Sequence, residues 1–171
     1  MIKWGEYFLE FILDVLNHFK NEIIVFLFAT LPIIELRGAI PLGLAFKMNF
    51  MDTFIFAVLG NTLSIPFAFL FIRRVLNFMR KFKLFKHLVE NFEDKIAKKA
   101  ESVKKYTQLG LLIFVAIPLP GTGAWTGAFI AAFLEMRLKD AFWPISLGVI
   151  IAGIIVTGVA YGFLSFLSFL V

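Results

Sequence analysis

The 171-residue chain has no cysteine and only two histidines. Disulfides and thiolate metal sites are thereby excluded, and no clustering of His with Glu has the spacing of metal ligands. No nucleophile–base pair and no phosphate-binding loop stands out either, so neither an enzyme nor a cofactor is expected. A signal-peptide pattern is lacking. In "MIKWGEYFLEFILDVLNHFK" acids interrupt any apolar core and no small-residue cleavage site follows. Charge is scarce as well, at 17% of residues.

What fills the chain instead is apolar: 60% of residues are hydrophobic, 23 are Phe, and the mean hydropathy is +0.89. Several runs approach or exceed the ~20 apolar residues that cross a bilayer. A soluble all-α protein of this composition would have almost no polar surface. The reading is therefore an integral membrane protein whose first partner is the lipid bilayer.

The few charges are unevenly spread. Residues 73–105 hold eleven of the 17 Lys and Arg and four of the 12 Asp and Glu, a local +7 that leaves −2 for the rest. Lysines flanking a span are the usual topology signal, so the segment 73–108 is placed in the cytoplasm, the protein in the inner membrane, and nucleic acid is not expected as a partner. With Phe and Leu interspersed among lysines, the segment reads as a solvated loop or as an amphipathic helix lying on the membrane.

Along the chain, residues 2–19 space apolar side chains on one helix face and Glu6, Glu10 and Asp14 on the other, as an interfacial helix would. The run 23–34, "IIVFLFATLPII", is uncharged but covers only about 18 Å as helix, short of the ~30 Å hydrocarbon core. Residues 53–72 make a full-length span. Residues 109–121, "LGLLIFVAIPLPG", again give a short run stopped by prolines, and a long span follows over 141–168.

The halves resemble one another. "GAIPLGLAF" (38–46) sets beside "GAWTGAFIAAF" (123–133), pairing Gly38 with Gly123, Phe54 with Phe142 and Gly60 with Gly148 as the offset drifts from 85 to 88. The expected fold is all-α in two repeats, 1–72 and 73–171. Each has an amphipathic helix, a re-entrant hairpin (23–46 and 109–133) and a transmembrane helix (53–72 and 141–168). A unit that crosses once must be inverted relative to its copy, as in secondary transporters, and non-helical backbone at that depth survives only when shielded by protein or a water-filled cavity. Four ordinary spans with proline kinks are the alternative.

"PIIELRGAIP" (32–41) places Glu35 and Arg37 alone between Glu22 and Lys47. Charges inside a membrane cost roughly 2.5–3.5 kcal/mol on insertion scales and usually mark function. On a regular helix the two side chains would face apart. In a hairpin tip they could pair, as a structural lock, as a protonatable coupling residue (Glu35), or as an anion-binding arginine with Glu35 orienting it. In the second tip, "PLPGTGAW", Pro118 and Pro120 stop the incoming helix, Gly121 and Gly123 permit an open turn, and Thr122 is a candidate cap for the returning helix. Helix starts at Gly38 and after Gly123 would present unpaired N–H groups to an anion, or serve hairpin geometry alone. Asn61, Thr62, Ser64, Trp125 and Thr126 are candidate cavity-lining residues. Gly123, Gly127 and Ala131, beside Ala124, Ala128 and Ala132, form small-residue faces for close helix packing or for a homodimer.

At "ELRGAIPLGLAF" and "PLPGTGAWTGAF" the chain resembles the small multidrug export protein family over nearly its whole length. More distantly it is similar to the DedA (VTT) superfamily, membrane proteins with two inverted re-entrant hairpins. That likeness implies movement of lipids or polyprenyl-phosphate carriers, with acids on the first hairpin, where Glu35 matches, and arginines on the second, where this chain has none within the membrane. The function expected is proton-coupled export of a small molecule by alternating access. A lipid or lipid-phosphate translocase and a non-transporting assembly factor are the alternatives.

Overall fold

A computed structural model describes residues 20–79 and 100–170. The expected interfacial helix 2–19, and most of the basic segment 73–108, lie outside the described residues. Within them the chain forms six α-helices: α1 (Lys20–Thr30), α2 (Glu35–Ala45), α3 (Phe50–Met79), α4 (Ala100–Ala116), α5 (Ala124–Phe133) and α6 (Leu138–Leu170).

Two of these helices are long and apolar enough to cross a membrane, over Phe50–Phe78 and Leu138–Gly162. Their outer faces are oily. Ile55, Leu59, Leu63, Phe67 and Phe71 on α3, and Trp143, Leu147, Ile151, Ile155 and Val159 on α6, recur every four residues and are all exposed. Water would penalise two such stripes, and hydrocarbon accepts them. The interior mixes apolar side chains such as Phe69, Ile40, Ile65 and Ile145 with buried polar ones, Glu35, Thr53, Asn61, Ser64, Ser146 and Thr157. Large apolar groups on the outer faces and polar groups within is the distribution of a membrane protein.

Around this pair the short helices pack in matched fashion. α1 lies on α3 as α4 lies on α6, and α2 meets α1 and α3 as α5 meets α4 and α6. Each unit also reaches across, α5 to α3 and α2 to α6, while α3 and α6 touch each other. Glycine permits both long-helix contacts. A Cβ at Gly60 would stand 2.2 Å from the Phe26 carbonyl oxygen of α1, and one at Gly148 would stand 2.9 Å from the Leu112 carbonyl oxygen of α4.

The turns match atom for atom. After α2, the Lys47 N–H donates to the Leu44 carbonyl and the Met48 N–H to that of Gly43; after α5, Glu135 donates to Ala132 and Met136 to Ala131. Both are Schellman closures, and Lys47 (φ +58°) and Glu135 (φ +54°) occupy the left-handed position that glycine usually fills. Polar side chains then start the long helices: Asn49 bonds Asp52 before α3, and Arg137 Nε donates to Asp140 at 3.1 Å in α6.

One expectation needs correction. Gly38 does not open the returning helix; α2 begins at Glu35, and the Gly38 N–H already donates to the Ile34 carbonyl within its first turn. Pro41 sits inside α2. A proline removes one N–H and crowds one carbonyl, and a short helix packed against neighbours tolerates that. Of the two uses open to the small-residue faces of α5, close packing within the chain is the one seen, with Ala124, Ala128 and Ala131 completely buried.

Candidate functional site

The break between α1 and α2 builds the first half of the site. α1 closes on its own hydroxyl, Thr30 Oγ1 donating to the Leu27 carbonyl at 2.7 Å, and Pro32 stands in the turn that follows. Glu35 then takes φ +48°, a left-handed conformation that no regular helix contains. That backbone angle departs from the helical geometry that would hold Glu35 and Arg37 apart. Arg37 Nη1 lies 3.3 Å from Glu35 Oε2, with the two side chains 21% and 7% exposed.

The second tip meets them. α4 stops at Ala116, ahead of Pro118 and Pro120, and Gly121 turns the chain at φ +83°. Thr122 does not cap α5 as expected. Its hydroxyl serves the end of α4 instead, 2.7 Å from the Ile117 carbonyl and 2.9 Å from that of Leu119, and it accepts from Arg37 Nη2 at 2.8 Å. The cap of α5 comes from the other half of the molecule: the Trp125 backbone N–H donates to Glu35 Oε1 at 3.0 Å. Gly123 makes room for it, since a Cβ there would stand 1.8 Å from Glu35 Oε2.

The helix N-terminus expected to receive an outside anion thus holds the chain's own carboxylate. Glu35 and Arg37 on one tip grip Trp125 and Thr122 on the other, and Trp125 Nε1 returns the contact by donating to the Thr30 carbonyl at 3.0 Å. A carboxylate so placed is stabilised by its N–H donor, the helix dipole and the guanidinium together. Losing its charge would weaken all three interactions at once.

The other candidate residues divide. Gly121 and Pro120 are exposed at the tip, whereas Pro118, Thr62 and Thr126 are half-buried. Ser64 and Trp125 line a common cleft. Asn61 does not line it; it is wholly buried on α3, both polar atoms of its amide lacking a hydrogen-bond partner. Two residues escaped the sequence reading. The Thr30 carbonyl carried no side-chain signal at all. Ser146, buried on α6 with its hydroxyl unpartnered, was legible only as a polar residue in an apolar span. Among the described residues no three His, Asp or Glu side chains gather as metal ligands would.

Residues 35–155, from Glu35 through both tips and into α6, match the model of the family described as "Putative small multi-drug export protein". The chain belongs to this family. No curated protein and no solved structure matched it. Membership of this export family makes the chain a membrane transport protein, with the bilayer and a small-molecule substrate as its partners. The family match begins at Glu35 itself, so Glu35, Arg37, Thr122 and Trp125 fall within it and Thr30 lies just before it.

Proposed function

We propose that the chain exports small molecules by alternating access, with protonation of Glu35 as the coupling step. One observation carries this reading: a buried carboxylate sits in the joint between the tips, accepting from Trp125 N–H on one oxygen and meeting on the other the Arg37 that itself reaches Thr122. Protonation removes the charge that Arg37 and the α5 terminus both require, so the tips part. Deprotonation draws them together again. A two-state joint of this kind can open a path on one side while the other is shut.

Two re-entrant hairpins in inverted repeats, α1–α2 and α4–α5, form the scaffold in this proposal. The matched packing of the six helices and the identical closing turns support it. So does the length of α2, whose 11 residues cover only about 16 Å against a ~30 Å core. The charge of 73–108 supports a cytoplasmic, inner-membrane orientation.

The test is transport in proteoliposomes under an imposed pH gradient, with a panel of fluorescent cationic dyes. Glu35→Gln keeps the shape and an acceptor for Trp125 N–H, and is expected to insert and remain monodisperse while losing gradient-driven movement. Full gradient-driven activity in that variant would remove Glu35 from the coupling role. A lipid-phosphate translocase fits the site less well, because the headgroup would have to displace Glu35 from both partners. Scrambling of a fluorescent lipid with no dye movement would favour that second reading.

A further inference from the structure

A cleft of about 270 Å³ opens between α1, α3 and α5, lined by Thr30, Leu63, Ser64, Phe67 and Trp125. Its lip faces outward. Leu63 and Phe67 are 50% and 65% exposed and belong to the oily stripe of α3, so the mouth opens toward lipid. Its wall contains three side-chain donors, and all three are engaged. Thr30 Oγ1 donates to the Leu27 carbonyl at 2.7 Å, Ser64 Oγ to the Asn61 carbonyl at 2.7 Å, and Trp125 Nε1 to the Thr30 carbonyl at 3.0 Å.

The hydroxyls therefore have only lone pairs left to offer. A guest bearing acceptors or negative charge would meet other acceptors, whereas a guest bearing N–H donors is complementary. The aromatic residues Trp125 and Phe67 in the wall add the electron-rich surfaces that attract a cation. We propose that this cleft is a lateral binding site, reached from the bilayer, for lipophilic molecules carrying a primary or secondary ammonium group. The assignment deepens the export reading and rests on it for its purpose. Trp125 belongs to both places, its side chain walling the cleft and its backbone N–H holding Glu35 Oε1. A guest against the indole thus bears on the residue that anchors the coupling carboxylate.

The experiment reads binding without turnover. Trp4→Phe with Trp143→Phe leaves Trp125 as the sole indole, and the protein is placed in phosphatidylcholine vesicles. Its emission is titrated with octylammonium, octyltrimethylammonium and octyl sulfate, which share a tail and differ in head. Octylammonium is expected to saturate with a Kd about tenfold below that of the trimethyl compound, the worth of one charge-assisted hydrogen bond. Octyl sulfate should not saturate. Ser64→Ala should bring the two cations together while leaving their saturation intact. Equal affinities in the wild-type cleft would overturn the assignment. So would an unsaturable response like that of a protein whose sole indole is Trp143. Loss of octylammonium binding in phosphatidylethanolamine vesicles would support it, with the lipid's own primary ammonium as the competing occupant. Because Glu35 is intact and no gradient is applied, failure here leaves the Glu35→Gln transport result standing, and the reverse also holds.

Discussion

Arg37 spans two partners, the Glu35 carboxylate and the Thr122 hydroxyl. Removing it leaves a carboxylate in a site built for a pair, which typically costs about 3 kcal/mol or more. Arg37→Ala should therefore lower the thermal midpoint in detergent more than Arg37→Ala combined with Glu35→Ala does. A double variant whose loss equals the sum of the losses from Arg37→Ala and Glu35→Ala alone would mean the pair is not coupled. Gly123→Ala should act on the same group by volume, striking Glu35 Oε2 so that the carboxylate shifts, Oε1 leaves the α5 terminus and a buried donor is unmet, at about 1–3 kcal/mol. Gradient-driven transport should fall with it, while Gly121→Ala, at an exposed turn with open space around its Cβ, should tax the backbone and spare the carboxylate. Equal loss of transport in both would place the defect in the turn. The two charges themselves were legible in sequence as improbable residues in an apolar run. Their partners were not, because Thr122 and the Trp125 N–H lie 85 and 90 positions away and meet them only when two tips converge.

Elements were easier to read than the contacts between them. The expected spans 53–72 and 141–168 fall inside α3 and α6, since hydropathy marks the oily part of a helix and says little of its polar ends. The start of α2 was misplaced by three residues because glycine looked like the turn, whereas Glu35 itself takes the left-handed angle. Helix pairing was visible only as the weak match of Gly60 with Gly148, and the structure supplies its reason, a backbone in contact with each. Gly60→Ala would drive a methyl group into the Phe26 carbonyl and separate α1 from α3, at about 1–3 kcal/mol. Gly158→Ala on α6 meets nothing within 4 Å and should be neutral or slightly stabilising. A thermal midpoint lowered equally by both would show that helix propensity, and not close approach, governs these positions.

For the whole molecule the decisive question is which side each turn faces, and a cysteine-free chain is well suited to answer it. Lys20 and Lys47 flank α1 and α2, which break at 31–34 and are in contact with each other, the arrangement proposed as a hairpin. If that hairpin enters and leaves by one face, Lys20→Cys and Lys47→Cys must label from the same side of the membrane. α3 then crosses once, so Glu135→Cys, in the twin turn after α5, must label from the opposite side. The basic residues Arg73 and Arg74, exposed near the end of α3, set the sign: Glu135→Cys should react from the cytoplasm. An ordinary kinked span over 23–46 gives the contrary result, with Lys20→Cys and Lys47→Cys reacting from opposite faces. That outcome would also undo the inverted pairing, because two units that each cross an even number of times share one orientation. Glu35 and Trp125 could still touch in such a molecule, but the tips would no longer face one another from the two sides, and parting them would open no alternate path.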